Sequence, residues 1–231
     1  MSTHNITIEG GTSKRLLTAG KYCDRDIVVT ATGGGETSDP TSFFQFVKNV
    51  ELADLDVFNT TDLVVNSEVL NDLTNFASGA TNTKVKTITF NTPTFTNINR
   101  AFYNQKLIEE LDFENGASVQ TAISAFANCT ALKNIKGDIV INTFSNTFNG
   151  CTSLEQVTFV GESITNDISF ANSPNLTENG LSGIYQGLKT LSEAGSKTLT
   201  LHQTAYNLLN EQLQTTLNGI TNTKKWAIAI A

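Results

Sequence analysis

The chain has 231 residues, 39% of them hydrophobic and 16% charged, with a net charge of -7 and a pI of about 4.8. This is enough apolar material for a core, under a surface that is polar rather than charged, since average soluble proteins carry roughly 25% charged residues. Basic residues cluster no further than the pairs Lys14-Arg15 and Lys224-Lys225, which excludes the basic stripe that nucleic-acid binding needs and argues equally against an anionic membrane surface.

The start, Ser2-Thr3-His4-Asn5, is polar and lacks the apolar core of a signal peptide. No apolar run approaches the roughly 18 residues that span a bilayer. Synthesis in the cytosol without a signal peptide is therefore expected. Residues 1–32 read as a small β attachment module, with strands at Asn5-Ile6-Thr7-Ile8 and Ile27-Val28-Val29-Thr30-Ala31. Residues 33–40 form a linker, from Gly33-Gly34-Gly35 to Pro40. Asp39 or Thr41 can cap a short helix through Ser42–Val47. Between 50 and 75, Val57, Leu63, Val64 and Val65 suggest strand, whereas Val69, Leu70 and Leu73 have helical spacing.

From Phe76 the chain repeats, and the spacing is set by Phe102, Phe126, Phe148 and Phe170, which are 24, 22 and 22 residues apart. The same offsets recur after each. Phe102 is followed by Gln105, Ile108, Leu111 and Phe113. Phe126 is followed by Cys129, Leu132 and Ile135, and Phe148 by Cys151, Leu154, Val157 and Phe159. Phe170 is followed by Ser173 and Leu176, and a looser first unit begins at Phe76. A period in the low twenties is the length of a leucine-rich repeat. Each unit has one helical or irregular turn carrying the Phe, then a short strand. One unit cannot cover its own apolar face, so units must stack.

Alternation along the strands places Ile88, Leu111, Ile135 and Val157 inside. Thr87, Glu110, Asn134 and Gln156 form one outward ladder, and Thr89, Asp112, Lys136 and Thr158 a second. The repeats occupy 41–178. Before the cap at 179–231, Thr177-Glu178-Asn179 offers an N-cap for a helix carrying Leu181, Ile184, Tyr185, Leu188 and Leu191. A strand at 197–201, a helix at 204–218 and a strand at 226–230 then make a crossover, which requires the two strands to be parallel. The expected fold is α/β: a short right-handed leucine-rich-repeat solenoid of about four or five coils, with an α/β C-terminal cap and the small N-terminal β module.

Ala125-Phe126-Ala127-Asn128-Cys129-Thr130-Ala131-Leu132 and Thr147-Phe148-Asn149-Gly150-Cys151-Thr152-Ser153-Leu154 resemble the BspA-type leucine-rich repeat, whose unit reads A-F-x-x-C-x-x-L followed by a strand. The resemblance covers roughly 76–178. Gln105 and Ser173 depart from it at the cysteine position. Leu16–Val29 resembles an N-terminal module of phage and prophage structural proteins, and the stretches from Leu176 to Ala229 resemble the closing segment of phage proteins with such repeats. Together these imply a virion component at the tail, baseplate or a fibre, or a surface decoration. Residues 1–32 would dock onto other virion proteins as a homo-oligomer. The repeats would bind a host-surface glycan or protein. A bacterial surface adhesin is the alternative, and a glycan-degrading enzyme the third reading.

No catalytic constellation, cofactor motif or metal-ligand spacing is legible. His4 and His202 lie at opposite ends, and Gly33-Gly34-Gly35 lacks the Lys-Ser/Thr of a phosphate loop. Asp54 with Asp56, and Glu109, Glu110 and Asp112, read as solvated faces. Cys129 and Cys151 read as buried thiols on adjacent coils, with a disulfide as the alternative. The expected contact strip is the two outward ladders: Thr87, Thr89, Glu110, Asp112, Asn134, Lys136, Gln156 and Thr158. The expected repeat core is Phe102, Phe126, Cys129, Leu132, Phe148, Cys151, Leu154 and Phe170.

Overall fold

The computed structural model describes residues 15–16, 51–56, 61–65, 72–90, 95–114, 116–207 and 219–231. The expected strands at 5–8 and 27–31, the linker, the helix at 42–47, Val57, Val69, Leu70, Cys23 and His4 lie outside the described residues, as does most of the helix at 204–218. The elements, in chain order, are β1 (Arg15–Leu16), β2 (Glu51–Leu52), β3 (Asp62–Val65), β4 (Thr87–Phe90), β5 (Glu110–Phe113), β6 (Ala117–Thr121), β7 (Asn134–Thr143), β8 (Gln156–Phe159), β9 (Ile168–Phe170), α1 (Glu178–Gly187), β10 (Thr198–Leu201), α2 (Gln203–Asn207) and β11 (Ala227–Ile230).

The chain winds as a parallel β-solenoid of about four turns. Strands β3, β4, β5, β7 and β8 lie side by side, all parallel. Leu63, Ile88, Leu111, Ile135 and Val157 share one register and are all buried. The alternation of apolar and polar residues in these strands produces this inner column, because only every second side chain can face the core.

The described elements are mostly strands with few helices, roughly consistent with the expected α/β solenoid. A second parallel pairing, β6 with the distal half of β7, also makes a further side of the coil. Here Ala117 and Val119 lie level with Ile139 and Ile141, all buried. The chain turns from one side to the other at Gly137, where φ is +89°. A Cβ on Gly137 would lie 2.1 Å from the carbonyl oxygen of Phe113, so the corner admits glycine alone.

The third side carries the phenylalanines, and it is not helical. Its backbone passes coil to coil through parallel hydrogen bonds. Arg100, Phe102 and Asn104 donate to the carbonyls of Ile123, Ala125 and Ala127, and Ser124, Phe126 and Asn128 donate to those of Ser145, Thr147 and Asn149. Each turn holds two left-handed residues four apart: Asn75 and Gly79, Arg100 and Asn104, Ser124 and Asn128, Asn146 and Gly150. Asn and Gly fill most of these places because they tolerate positive φ. The rings of Phe102, Phe126, Phe148 and Phe170 stack in sequence, with centroids 5.9, 5.7 and 4.7 Å apart and near-parallel planes. Phe76 is offset from this column. Ala77 donates to Ala101 as Phe102 does to Ala125, so Ala77 is the residue level with Phe102. The Phe76 ring meets Phe102 edge-on at 6.0 Å.

Thr177 caps α1 as expected, its hydroxyl accepting from Gly180 N–H. The helix stops at Gly187, so Leu188 and Leu191 fall beyond it. The reason is that its last carbonyls are already engaged: Gln186 and Gly187 accept from Glu162 and Ile164, and Leu188 makes a bridge with Ile164. Gly180, Gly183 and Gly187 put a face without side chains against Glu155, Val157 and Phe159, and this lets α1 lie along the outer edge of β8. β10 pairs in parallel with β11, as the crossover requires, and also with β9. Trp226, almost fully buried, ties this sheet to the solenoid through its indole N–H, which donates to the Lys189 carbonyl at 2.7 Å.

Two substitutions test this account. Gly137→Ala is expected to destabilise by about 3 kcal/mol, from left-handed strain plus the clash. Phe126→Ala, at the centre of the ring stack, is expected to lose about 3–5 kcal/mol. Urea denaturation followed by circular dichroism measures both, and a Gly137→Ala midpoint equal to wild type would rule out the glycine corner.

Candidate functional site: a registered polar strip and a cleft

Seven of the eight expected strip residues stand in register across the main sheet. Thr87, Glu110, Asn134 and Gln156 stand in one unbroken register across four strands. Thr89, Asp112 and Lys136 form the second ladder. Thr158 does not complete it, because the register of β7 and β8 shifts between Ile135 and Ile139, where Gly137 turns the corner. Lys136 and Gln156 are exposed and the other six are half-buried. The strip is flat and nearly neutral at its centre, where Lys136 pairs with Glu110 at 2.7 Å.

Just before each strand lies a third column, of alternating charge: Lys86, Glu109, Lys133 and Glu155. Each of the last three donates its N–H to the carbonyl of the one before, so the side chains sit level. Glu109 is held between two cations, Lys86 and Lys133, each at 2.9 Å. Hydrogen bonds from Lys133 and then Lys86 pull its carboxyl from the ordinary 4.5 down to about 2, and Glu109 pushes the Lys133 ammonium up. Glu109 and Glu110 are thus bridged between coils on a half-exposed face. The repeat period carried the signal for this column, since Lys and Glu alternate at one offset in successive units.

Inside, the position after each ring has its own task. Cys129 donates its thiol to the Phe102 carbonyl at 2.9 Å, and Cys151 to that of Phe126 at 3.1 Å. Gln105 at the same offset donates to Ala77 and Ala80, and Ser173 donates to Cys151. The departures from cysteine at 105 and 173 therefore keep a side-chain donor to a carbonyl of the preceding coil, in addition to that carbonyl's backbone partner. Both thiols are free and buried. Burial raises both, Cys151 to about 12 and Cys129 further, so neither is a nucleophile at neutral pH. Leu132 and Leu154 are fully buried.

At the far end of the ring-bearing side the coils part. The residue that would continue the left-handed column after Arg100, Ser124 and Asn146 is Ile168. A β-branched side chain resists positive φ, and the segment runs extended as β9 and joins β10 instead. The rung between the two coils is lost: among the described residues the N–H groups of Asn146 and Phe148 have no acceptor. Phe148 and Phe170 still stack beneath. The result is a cleft of about 370 Å³, walled by 144–149, 167–169 and 171–172 and floored by Thr198 and Thr200.

His202 follows β10 and marks its end, its Nδ1 accepting from Thr204 N–H at 3.0 Å. Among the described residues, no group of three or more His, Cys, Asp or Glu side chains could hold a metal ion, and no helix is long and apolar enough to cross a membrane.

The depressed Glu109 carboxyl fixes the sign of a pH effect. Its folded value lies below its unfolded one, so its contribution is present above about pH 4.5 and lost as pH falls toward 2. The stability gap between wild type and Glu109→Gln should therefore close over that window, and added salt should narrow it at neutral pH. Denaturation midpoints at several pH values check this, and a gap that does not vary with pH would sink it. In a Cys23→Ser background, Cys129 and Cys151 should resist a thiol reagent until the chain unfolds.

No family model matches this chain, and neither a curated protein nor a solved structure matches it.

Proposed function

We propose that the chain is a non-enzymatic interaction protein: a phage virion component, tail-, baseplate- or fibre-associated or a surface decoration. Its solenoid is read as BspA-type leucine-rich repeats, with α1 and the β9-β10-β11 sheet closing the stack as a cap. Residues 1–32 dock the protein onto other virion proteins. The observation that carries the binding role is the registered strip, Thr87, Glu110, Asn134 and Gln156 beside Thr89, Asp112 and Lys136. A flat row of side chains held at fixed spacing on a rigid sheet can meet a host-surface glycan or a protein at many points at once. Each such contact is weak, and several copies on one particle raise the effective affinity. The BspA reading draws on the unit around Phe126 and Phe148 and on the thiol donors that follow each ring.

Light scattering of the full chain, and of a chain starting at Thr41, tests the docking role. The expected outcome is an oligomer that falls to monomer on truncation. A monomer in both would remove self-assembly from the proposal. For the strip, Lys136→Glu with Gln156→Lys should abolish adsorption of the full-length chain to host cells, with only a small drop in its unfolding midpoint from loss of the surface pair with Glu110. Unchanged adsorption would take the binding face off the strip.

A further inference from the structure

We propose that the cleft between the coil at 144–149 and the segment at 167–172 is a second binding site, one that takes a compact neutral carbohydrate of one or two rings. It is separate from the strip on the main sheet.

The cleft exists for a reason built into the chain. Ile168 replaces the left-handed residue of the preceding coils, and β9 leaves the stack to pair with β10. The backbone N–H groups of Asn146 and Phe148, which stacking would have consumed, are thereby left without an acceptor among the described residues. The side chains of Asn146 and Asn149 make no hydrogen bond among the described residues, and both residues are exposed. Asn146 also presents its backbone N–H. The hydroxyls of Thr198 and Thr200 on the floor are likewise without partners among the described residues, while Leu199 between them is buried in the core. Asn172 spends its carbonyl oxygen on Gly150 N–H at 3.2 Å and leaves its amide N–H₂ toward the cleft. These are amide and hydroxyl groups, each of which can both donate and accept or is paired with one that can.

The apolar part of the lining fits the same ligand. Phe144 is half-buried, its ring 6.5 Å from Phe148 and 6.2 Å from Phe159, and it lies on the cleft wall. A sugar ring has an apolar C–H face and a polar rim, and a part-exposed aromatic ring beside amides matches both. The charge balance selects for neutrality. No Lys or Arg lines the cleft, and its one ionisable group is Asp167, whose Oδ1 accepts from Thr198 N–H at 2.8 Å. An acidic sugar or a phosphate would meet a carboxylate with no cation to offset it.

An extended peptide does not fit. Phe148 and Phe170 stay stacked at 4.7 Å between ring centroids, and the bonds from Gly150 to Asn172 and from Ser173 to Cys151 close one end. No strand can pass between coils still joined on two sides, since adjacent strands need about 4.8 Å on each side.

The test is a titration of the full-length, isotope-labelled chain with maltose, lactose, cellobiose and N,N'-diacetylchitobiose, read by amide NMR. At least one should shift the side-chain amides of Asn146, Asn149 and Asn172, with a Kd on the order of 1 mM. Asn146→Gly keeps the left-handed backbone while removing the amide. It and Asn149→Ala should each weaken binding about tenfold, a loss of roughly 1.4 kcal/mol, with unchanged unfolding midpoints. Phe144→Ala should abolish binding. No shift with any of the four sugars overturns the proposal. So does a shift that survives the Asn variants, or equal binding of sialyllactose, which carries a carboxylate. Failure here leaves the adsorption test of the strip unaffected, because that test reads different residues.

Discussion

Parallel stacking sets each residue of one coil over its counterpart in the next, so whatever backbone angle or side chain a position needs, the whole column needs. The ring-bearing turns show what this demands. Their N–H groups point at the carbonyls of the following coil only if two residues per turn go left-handed, which is why Asn75, Gly79, Asn104, Asn128, Asn146 and Gly150 recur where they do. With the backbone so placed, the phenylalanines stack, and the carbonyl of each ring residue, which accepts from the N–H three residues on, also faces the next coil. The thiols of Cys129 and Cys151 donate to the carbonyls of Phe102 and Phe126, and Gln105 and Ser173 donate to those of Ala77 and Cys151. Column by column, the sequence pattern is the set of solutions to one geometric condition.

Where the condition is released, the molecule changes character. Ile168 cannot follow the left-handed column, so the last coil opens on its outer rim while its rings stay packed. On the main sheet, the next strand after β8 is replaced by α1, whose glycines let a helix approach the bare edge. A sheet edge left open invites pairing with another chain, and α1 occupies that place. Both breaks fall within the same stretch of chain, 168–187, so the end of the solenoid is also where its surface becomes concave.

Much of this was readable from the residues. The Phe spacing located the ring column, and the alternation in Leu-x-x-Val-x-Phe located four strands and the register of their outward ladders. Thr177 announced the start of α1. The β6 side leaves little mark in the residues, because Ala117-Ser118-Val119-Gln120-Thr121 is short and weakly apolar and alternates within a unit whose period one turn and one strand already fill. The end of α1 was missed for a different reason. Leu188 and Leu191 keep helical spacing, but Ile164, more than twenty residues earlier, competes for Leu188 and wins. The offset of Phe76 was hidden likewise: the ring is conspicuous, whereas the backbone register that aligns Ala77 with Phe102 leaves no mark in composition. The cleft was legible only in hindsight, as one β-branched residue in a column of Asn, Ser and Arg.

The alternating column Lys86, Glu109, Lys133, Glu155 bears on how such an array can change length in evolution. Repeat proteins grow and shrink by copying or losing whole units. Here the gain or loss of one unit would set lysine beside lysine or glutamate beside glutamate at strand spacing, whereas the gain or loss of two restores the alternation. The units are chemically of two kinds, and the natural increment of the gene is the pair.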